Sequence, residues 1–329
     1  MLIHGNALHL PLRDESVQCV VTSPPYWGLR NYGIDSQLGL EPTPEAYVAN
    51  MVQVFREVRR VLKDDGTCWL NLGDSYARMQ EGNVPQSKNK ECVPPVMAGR
   101  VKNAGLKPKD IVGIPWRVAF ALQADGWWLR SDIIWAKPNP MPESVTDRPT
   151  RSHEYLFLLT KRARYHYNAA AIRTPGPVTE RFHGAYNPPG GNGNAKRNGR
   201  TDKQRGHSRR HDGFNARWDA MEKAEQQVNG ANARSVWSIV TEPYSGAHFA
   251  TFPQALVTPC ILAGSRPGDV VLDPFTGSGT VGVVCRKTQR RFVGIDLSMD
   301  YLRQAQVRVE NKEVGVKTEG LPLFEGGER

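Results

Sequence analysis

Two short stretches carry residue types that can do chemistry. The first is Ser23-Pro24-Pro25-Tyr26, at the end of the apolar run Val17-Gln18-Cys19-Val20-Val21-Thr22. The run has the length and β-branched content of a buried strand. Two prolines directly after it stop a sheet, because neither donates a backbone hydrogen bond and both fix φ. The spacing predicts a stiff turn at the carboxyl edge of a strand. It presents a hydroxyl, two unencumbered carbonyls and an aromatic face. Such a turn can hold a planar base and accept hydrogen bonds from its exocyclic amine.

The second stretch lies far downstream. Asp269-Val270-Val271-Leu272-Asp273 reads as another buried strand and runs into Pro274-Phe275-Thr276-Gly277-Ser278-Gly279-Thr280. Gly277 and Gly279 let the backbone approach a ligand closely, and the segment after them can open a helix. The next strand, Arg291-Phe292-Val293-Gly294-Ile295, ends in Asp296. An acid at that strand tip suits a ribose diol. A lone Gly-x-Gly says little. The order of strand, glycine turn, helix, strand and acid says much more.

Together these residues resemble the DNA amino-methyltransferases, which move a methyl group from S-adenosylmethionine to an exocyclic nitrogen. The Ser-Pro-Pro-Tyr turn comes first here and the cofactor turn last, the permuted order of that family's beta group. The likeness extends over most of the chain. Glu45 to Leu62, then Gly66 to Asp74, resemble the helix and strand after the catalytic loop. Ser131 to Pro140 and His153 to Leu158 resemble the last two strands. His248 to Pro253 resembles the segment beside the methionine part of the cofactor.

The resemblance implies an α/β fold with a Rossmann-like, doubly wound, mostly parallel sheet, circularly permuted and interrupted by a target-recognition insert. It implies S-adenosylmethionine as cofactor, held by Asp273, Pro274, Phe275, Gly277, Gly279, Thr280 and Asp296, with Thr251, Phe252 and Pro253 alongside. Asn6 stands where relatives often carry an acid for the adenine; its amide can still accept and donate. The catalytic residues implied are Ser23, Pro24, Pro25 and Tyr26. Serine in first place, with Trp27 following, is similar to the cytosine-N4 members. The adenine-N6 members more often carry Asp or Asn there. The implied activity is site-specific methylation of N4 of a flipped-out cytosine in double-stranded DNA, with adenine N6 as the alternative. A non-catalytic DNA-binding protein of the same fold is the remote alternative. Both motifs being intact argues against it. The implied setting is the cytoplasm of a bacterium or of a phage's host, with a cognate restriction endonuclease acting separately as partner.

An exocyclic amine is a poor nucleophile, because its lone pair is delocalised into the ring. The Pro24 carbonyl and the Ser23 hydroxyl can each accept one N–H, drawing the nitrogen toward tetrahedral geometry. Positioning of this kind can lower a barrier by about 7–11 kcal/mol at best. Discharge of the sulfonium favours a dry, preorganised site. A base inside a duplex must be flipped out at a cost of a few kcal/mol. Stacking on Tyr26 and Trp27 would offset part of that. Cytosine-5 chemistry needs a cysteine instead. Cys260, in the only Pro-Cys pair, lies in an apolar stretch and reads as core. His153-Glu154 reads as a structural pair or a catalytic one. Asp74 reads as a satisfied strand-end carboxylate or a contact to the base.

The elements that must position these residues alternate between strand and helix patterns over residues 1–76 and 107–172. Glu45 to Leu62 is helical, with Tyr47, Met51, Val54, Phe55, Val58, Val61 and Leu62 on one stripe, and Asp64-Asp65-Gly66 is expected to end it. Asp110 is the expected N-cap of a second helix over Ile111 to Ala124. The expected organisation is a catalytic half over 1–174, a DNA-binding insert over 175–235, a cofactor half over 236–315 and a flexible tail over 316–329.

The 329 residues carry a net charge of +10, with a pI near 9.4, which favours a polyanionic partner. Much of the excess sits in the insert. Eight basic residues between Lys196 and Arg217 face only Asp202 and Asp212. Lys196, Arg197, Arg200, Arg205, Arg209 and Arg210 are the expected phosphate contacts. His207, His211, Phe214 and Trp218 interleave with the charge, which a solvated linker has no use for. Cys19, Cys68, Cys92, Cys260 and Cys285 are scattered without a Cys-x-x-Cys pair, which predicts reduced thiols and no structural zinc. No apolar stretch reaches membrane-spanning length, and the N-terminus is too short and polar before Pro11 for a signal peptide.

Overall fold

A computed structural model describes residues 1–29, 33, 37–77, 105–174, 231–241 and 252–310. The chain divides into two units, Met1–Ala171 with Arg234–Leu321, and Ile172–Ala233 with Pro322–Arg329. The described residues of the second unit are 172–174 and 231–233. In it an antiparallel bridge joins Thr174 to Ala231, so the chain enters and leaves residues 175–230 side by side.

The first unit is built on an eight-stranded sheet. Its strands are β1 (Leu2–His4), β2 (Val17–Thr22), β3 (Leu62–Leu72), β4 (Trp128–Ala136), β5 (His153–Thr160), β6 (Val236–Ser238), β7 (Val270–Asp273) and β8 (Arg291–Asp296). Their order across the sheet is β1-β8-β7-β2-β3-β5-β4-β6. β5 is antiparallel to both neighbours, and every other pairing is parallel. The doubly wound, mostly parallel reading therefore holds. β7 pairs with β2, so Ser23 and Asp273 lie at the ends of adjacent strands.

Helices α1 (Pro44–Val61) and α2 (Ile114–Ala124) pack on each other and against β3 and β4. Helix α3 (Gln254–Gly264) packs on β2, β3 and α4 (Thr280–Lys287), while α5 (Met299–Glu310) packs on β1 and β8. The α1 stripe is fully buried and shares one core with Val20, Leu70 and Leu72. Thr43 caps α1, its Oγ1 accepting the Ala46 N–H at 3.1 Å, with Pro44 in the first turn where its missing donor costs nothing.

Two boundaries differ from the sequence reading. Asp64-Asp65-Gly66 forms no turn; α1 passes directly into β3, which contains all three. Asp64 pairs with Lys161 and Arg162, and Gln18 donates to Asp65, so neighbouring elements satisfy the carboxylates a turn would have left in water. Helix α2 starts at Ile114, three residues after the expected start. Its cap is not Asp110 but the Asp74 carboxylate, whose Oδ1 accepts from Gly113 N at 2.9 Å and Ile114 N at 3.0 Å.

Candidate active site

The Ser-Pro-Pro-Tyr turn follows β2 directly. Ser23 Oγ lies 3.3 Å from both Tyr26 Oη and Asn71 Oδ1. Tyr26 Oη lies 3.0 Å from Asn71 Oδ1 and 2.6 Å from Glu154 Oε2. Asn71 comes from the end of β3 and Glu154 from the start of β5, two strands that lie side by side. Asn71 Nδ2 donates to the Tyr155 carbonyl at 3.1 Å, which fixes the amide with its oxygen toward Ser23. The Lys137 ammonium pairs with Glu154 Oε1 and sits 4.3 Å above the Trp135 ring. Burial, and then the Glu154 carboxylate, push the Tyr26 phenol well above its ordinary pKa, so it stays protonated and donates. Gly73 makes room for the phenol: a Cβ there would come within 2.6 Å of the Tyr26 ring.

Two expectations for this half are corrected. Trp27 cannot stack on a base, because it is 5% exposed, lies in the core and donates Nε1–H to the Glu41 carbonyl at 2.9 Å. The Pro25 carbonyl is not free, since the Tyr47 hydroxyl donates to it at 2.9 Å. Among the described residues nothing takes the Pro24 carbonyl. Asp74 is spent as the α2 cap. Of the pair His153-Glu154, only Glu154 reaches the turn. His153 packs edge-on against Tyr155, and burial lowers its pKa. Cys260 is a core residue of α3, its thiol pushed far up by burial.

The second motif occupies the ends of β7 and β8. Asp273 is 1% exposed. Its Oδ1 accepts from Thr22 Oγ1 at 2.7 Å and from Phe275 N at 3.1 Å. Its Oδ2 is buried without a partner among the described residues. Burial raises this carboxyl to about 7. Asp296 bridges two turns, its oxygens accepting from Gly277 N and Ser298 N, both at 2.8 Å. Each carboxylate oxygen keeps a second lone pair. Pro274 is buried and Phe275 packs partly on the core. Gly279, at φ +77, opens α4 at Thr280, and a Cβ there would meet Ala305 at 2.9 Å. Thr280 and Ser278 are both buried, and their hydroxyls meet Arg308.

Asn6 follows β1, whose His4 pairs with Asp296, and its Oδ1 accepts from Leu8 N at 2.9 Å. Pro253 caps α3 and is buried, with Phe252 half-buried before it. Thr251 and the basic residues Lys196, Arg197, Arg200, Arg205, Arg209 and Arg210 lie outside the described residues. The residues missed by sequence reasoning are Asn71 and Lys137. Both stood in segments recognised as strands, but nothing in their spacing pointed Asn71 at Tyr26 or Lys137 at Glu154.

A mostly parallel sheet that brings two such motifs to neighbouring strand ends, with the Thr22–Asp273 bond between them, has the layout of a ligand crevice at the carboxyl ends of its strands. The model of the DNA methylase family, the N6/N4 methyltransferases, matches residues 17–307, and the chain belongs to that family. It is 45% identical to the type II methyltransferase M.Cfr9I of Citrobacter freundii over 96% of this chain and 89% of the relative. It is 46% identical to M.SmaI of Serratia marcescens over 91% and 86%. Among solved structures, a PvuII DNA methyltransferase described as cytosine-N4-specific superposes with a TM-score of 0.60. That match has 16% identity and covers 95% of this chain and 87% of the other, a likeness of fold.

Proposed function

We propose that this DNA methyltransferase transfers the methyl group of S-adenosylmethionine to N4 of a cytosine flipped out of double-stranded DNA. The observation that carries the reading is the adjacency of Ser23 and Asp273 at the ends of β2 and β7, with the Thr22–Asp273 bond between them. One side of that junction offers a turn that can grip a planar amine, the other a glycine turn with two acids.

The residues present fit the cofactor. Asp273 Oδ2 is a buried acceptor without a partner among the described residues, and Asp296 holds spare lone pairs at the strand tip where a ribose diol would sit. S-adenosylmethionine supplies an electrophilic methyl on a sulfonium. Ser23 Oγ and the Pro24 carbonyl hold the amine, Tyr26 stacks on the base, and the buried junction excludes water. Serine at position 23 supports cytosine over adenine.

The order of the motifs along the chain fits the permuted arrangement. We place target recognition in residues 175–235 between the catalytic half (1–174) and the cofactor half (236–315). The relatives named as type II methyltransferases support a cytoplasmic restriction–modification role alongside a separate endonuclease.

Digestion of methylated DNA to nucleosides, followed by mass analysis, tests the reading. N4-methylcytosine is the expected product. N6-methyladenine would move the target to adenine. Neither product, with calorimetric cofactor binding intact, would overturn the transferase reading.

A further inference from the structure

Four oxygens crowd the target turn: Ser23 Oγ, Tyr26 Oη, Asn71 Oδ1 and Glu154 Oε2, linked by distances between 2.6 and 3.3 Å. Only the two hydroxyls carry hydrogens. Asn71 is an acceptor here, because its Nδ2 is committed to the Tyr155 carbonyl. Glu154 is an acceptor, with its other oxygen held by Lys137. The Tyr26 hydrogen therefore chooses between Asn71 at 3.0 Å and the carboxylate at 2.6 Å. A short bond to a charged acceptor is about twice as strong as a neutral one, so the carboxylate takes it. The Ser23 hydrogen is left to Asn71 Oδ1 or to the lone pair of Tyr26 Oη. Both hydrogens then run inward, and the outward face of Ser23 Oγ is all lone pair.

We infer that Glu154, braced by Lys137, is a positioning residue that sets the direction of these hydrogens and so makes Ser23 an obligate acceptor. The polarity selects the substrate. An amine donates to such an oxygen, whereas the ring carbonyl of uracil or thymine meets it acceptor to acceptor. Buried polar groups left unpaired in this way are a strong means of rejection. The inference rests on the reading of Ser23 as the acceptor for the target amine.

The test is a double-mutant cycle in the full chain, read by single-turnover methyl transfer to DNA. Glu154→Gln alone is expected to slow transfer about 10- to 100-fold, the worth of a hydrogen bond to a charged group. Cofactor affinity should stay within about twofold, since Glu154 touches neither motif of the β7–β8 ends. Tyr26→Phe keeps the ring and should slow transfer comparably. The double variant should be no slower than the slower single, because Glu154 acts through the phenol it no longer meets. Glu154→Asp keeps the charge beside Lys137 but withdraws the carboxylate, and goes through the same cycle. Parent rates in the Glu154 variants, or additive losses in the double, overturn the inference. So does loss of the melting transition in both Glu154 variants, which would make the residue structural. Ser23→Ala separates the two levels. If it turns over at the parent rate, the amine-holding reading of Ser23 falls; if it is inactive while the cycle is additive, only the role of Glu154 falls.

Discussion

The two sides of the β2–β7 junction are assembled from different kinds of bond. On the β7–β8 side the key contacts join carboxylates to backbone N–H groups: Asp273 to Phe275, Asp296 to Gly277 and Ser298. They span at most one strand–helix–strand unit. On the β2–β3 side the contacts run between side chains from four separate segments, joining Ser23 and Tyr26 to Asn71 and Glu154, with Lys137 behind. Backbone donors cannot be mutated away, so the first side tolerates sequence change as long as the acids and glycines stay. The second side depends on each side chain it recruits, and that is where a target base can be selected.

If the sides are separable, damage to one should leave the other's ligand unaffected. The largest effect is expected from Tyr26→Ala. Losing a stacking face and a hydrogen bond to a carboxylate should cost about 10²- to 10⁴-fold in single-turnover rate. Calorimetric cofactor affinity should be unchanged, and a parallel fall in it would break the comparison. Asp296→Ala should do the reverse. Removing the acceptor of two backbone donors, and on the proposed reading of the ribose diol, should weaken cofactor binding about 5- to 150-fold. DNA affinity, measured without cofactor, should not move.

Asp273→Asn sharpens the comparison through pH. The carboxyl is raised to about 7 in the fold, against 3.8 when free. Its contribution to stability is therefore complete below pH ~4 and is lost as pH rises through 7. Without cofactor, the Asn variant should melt about 6 °C above the parent at pH 8 and level with it at pH 4. An unchanged difference across that range would show that the buried carboxyl does not titrate there. The smallest effect concerns residues 175–235. Replacing Arg209 and Arg210 by alanine should flatten the dependence of log DNA affinity on log salt by roughly two units, on specific and unrelated DNA alike. A parent slope would return the segment to a solvated linker.

The same contrast explains what could be read from the sequence. The glycine turn and Asp296 were legible because strand, turn, helix and acid follow one another in a fixed order. The α1 stripe was legible because helical spacing alone buries it. Asn71 and Lys137 were not, because their partners, Tyr26 and Glu154, are set by strand order, which spacing does not encode. The start of α2 failed for a related reason. Its cap, Asp74, lies 40 residues from Ile114. The local candidate, Asp110, was the better guess only while the fold was unknown.

The hydrogen bond between Thr22 and Asp273 also sets a schedule for synthesis. The two residues are 251 positions apart. At about 5–20 residues per second, β2 leaves the ribosome roughly 13–50 s before the strand that pairs with its outer edge exists. For that interval a nascent chain holds the Ser-Pro-Pro-Tyr turn beside an open, apolar sheet edge. Such an edge invites pairing with other chains and is a natural client for a chaperone. Contacts this distant in sequence also close slowly. A newly made molecule has neither the glycine turn nor Asp296 until β7 and β8 have been synthesised, so the two sides of the junction meet only at the end of synthesis.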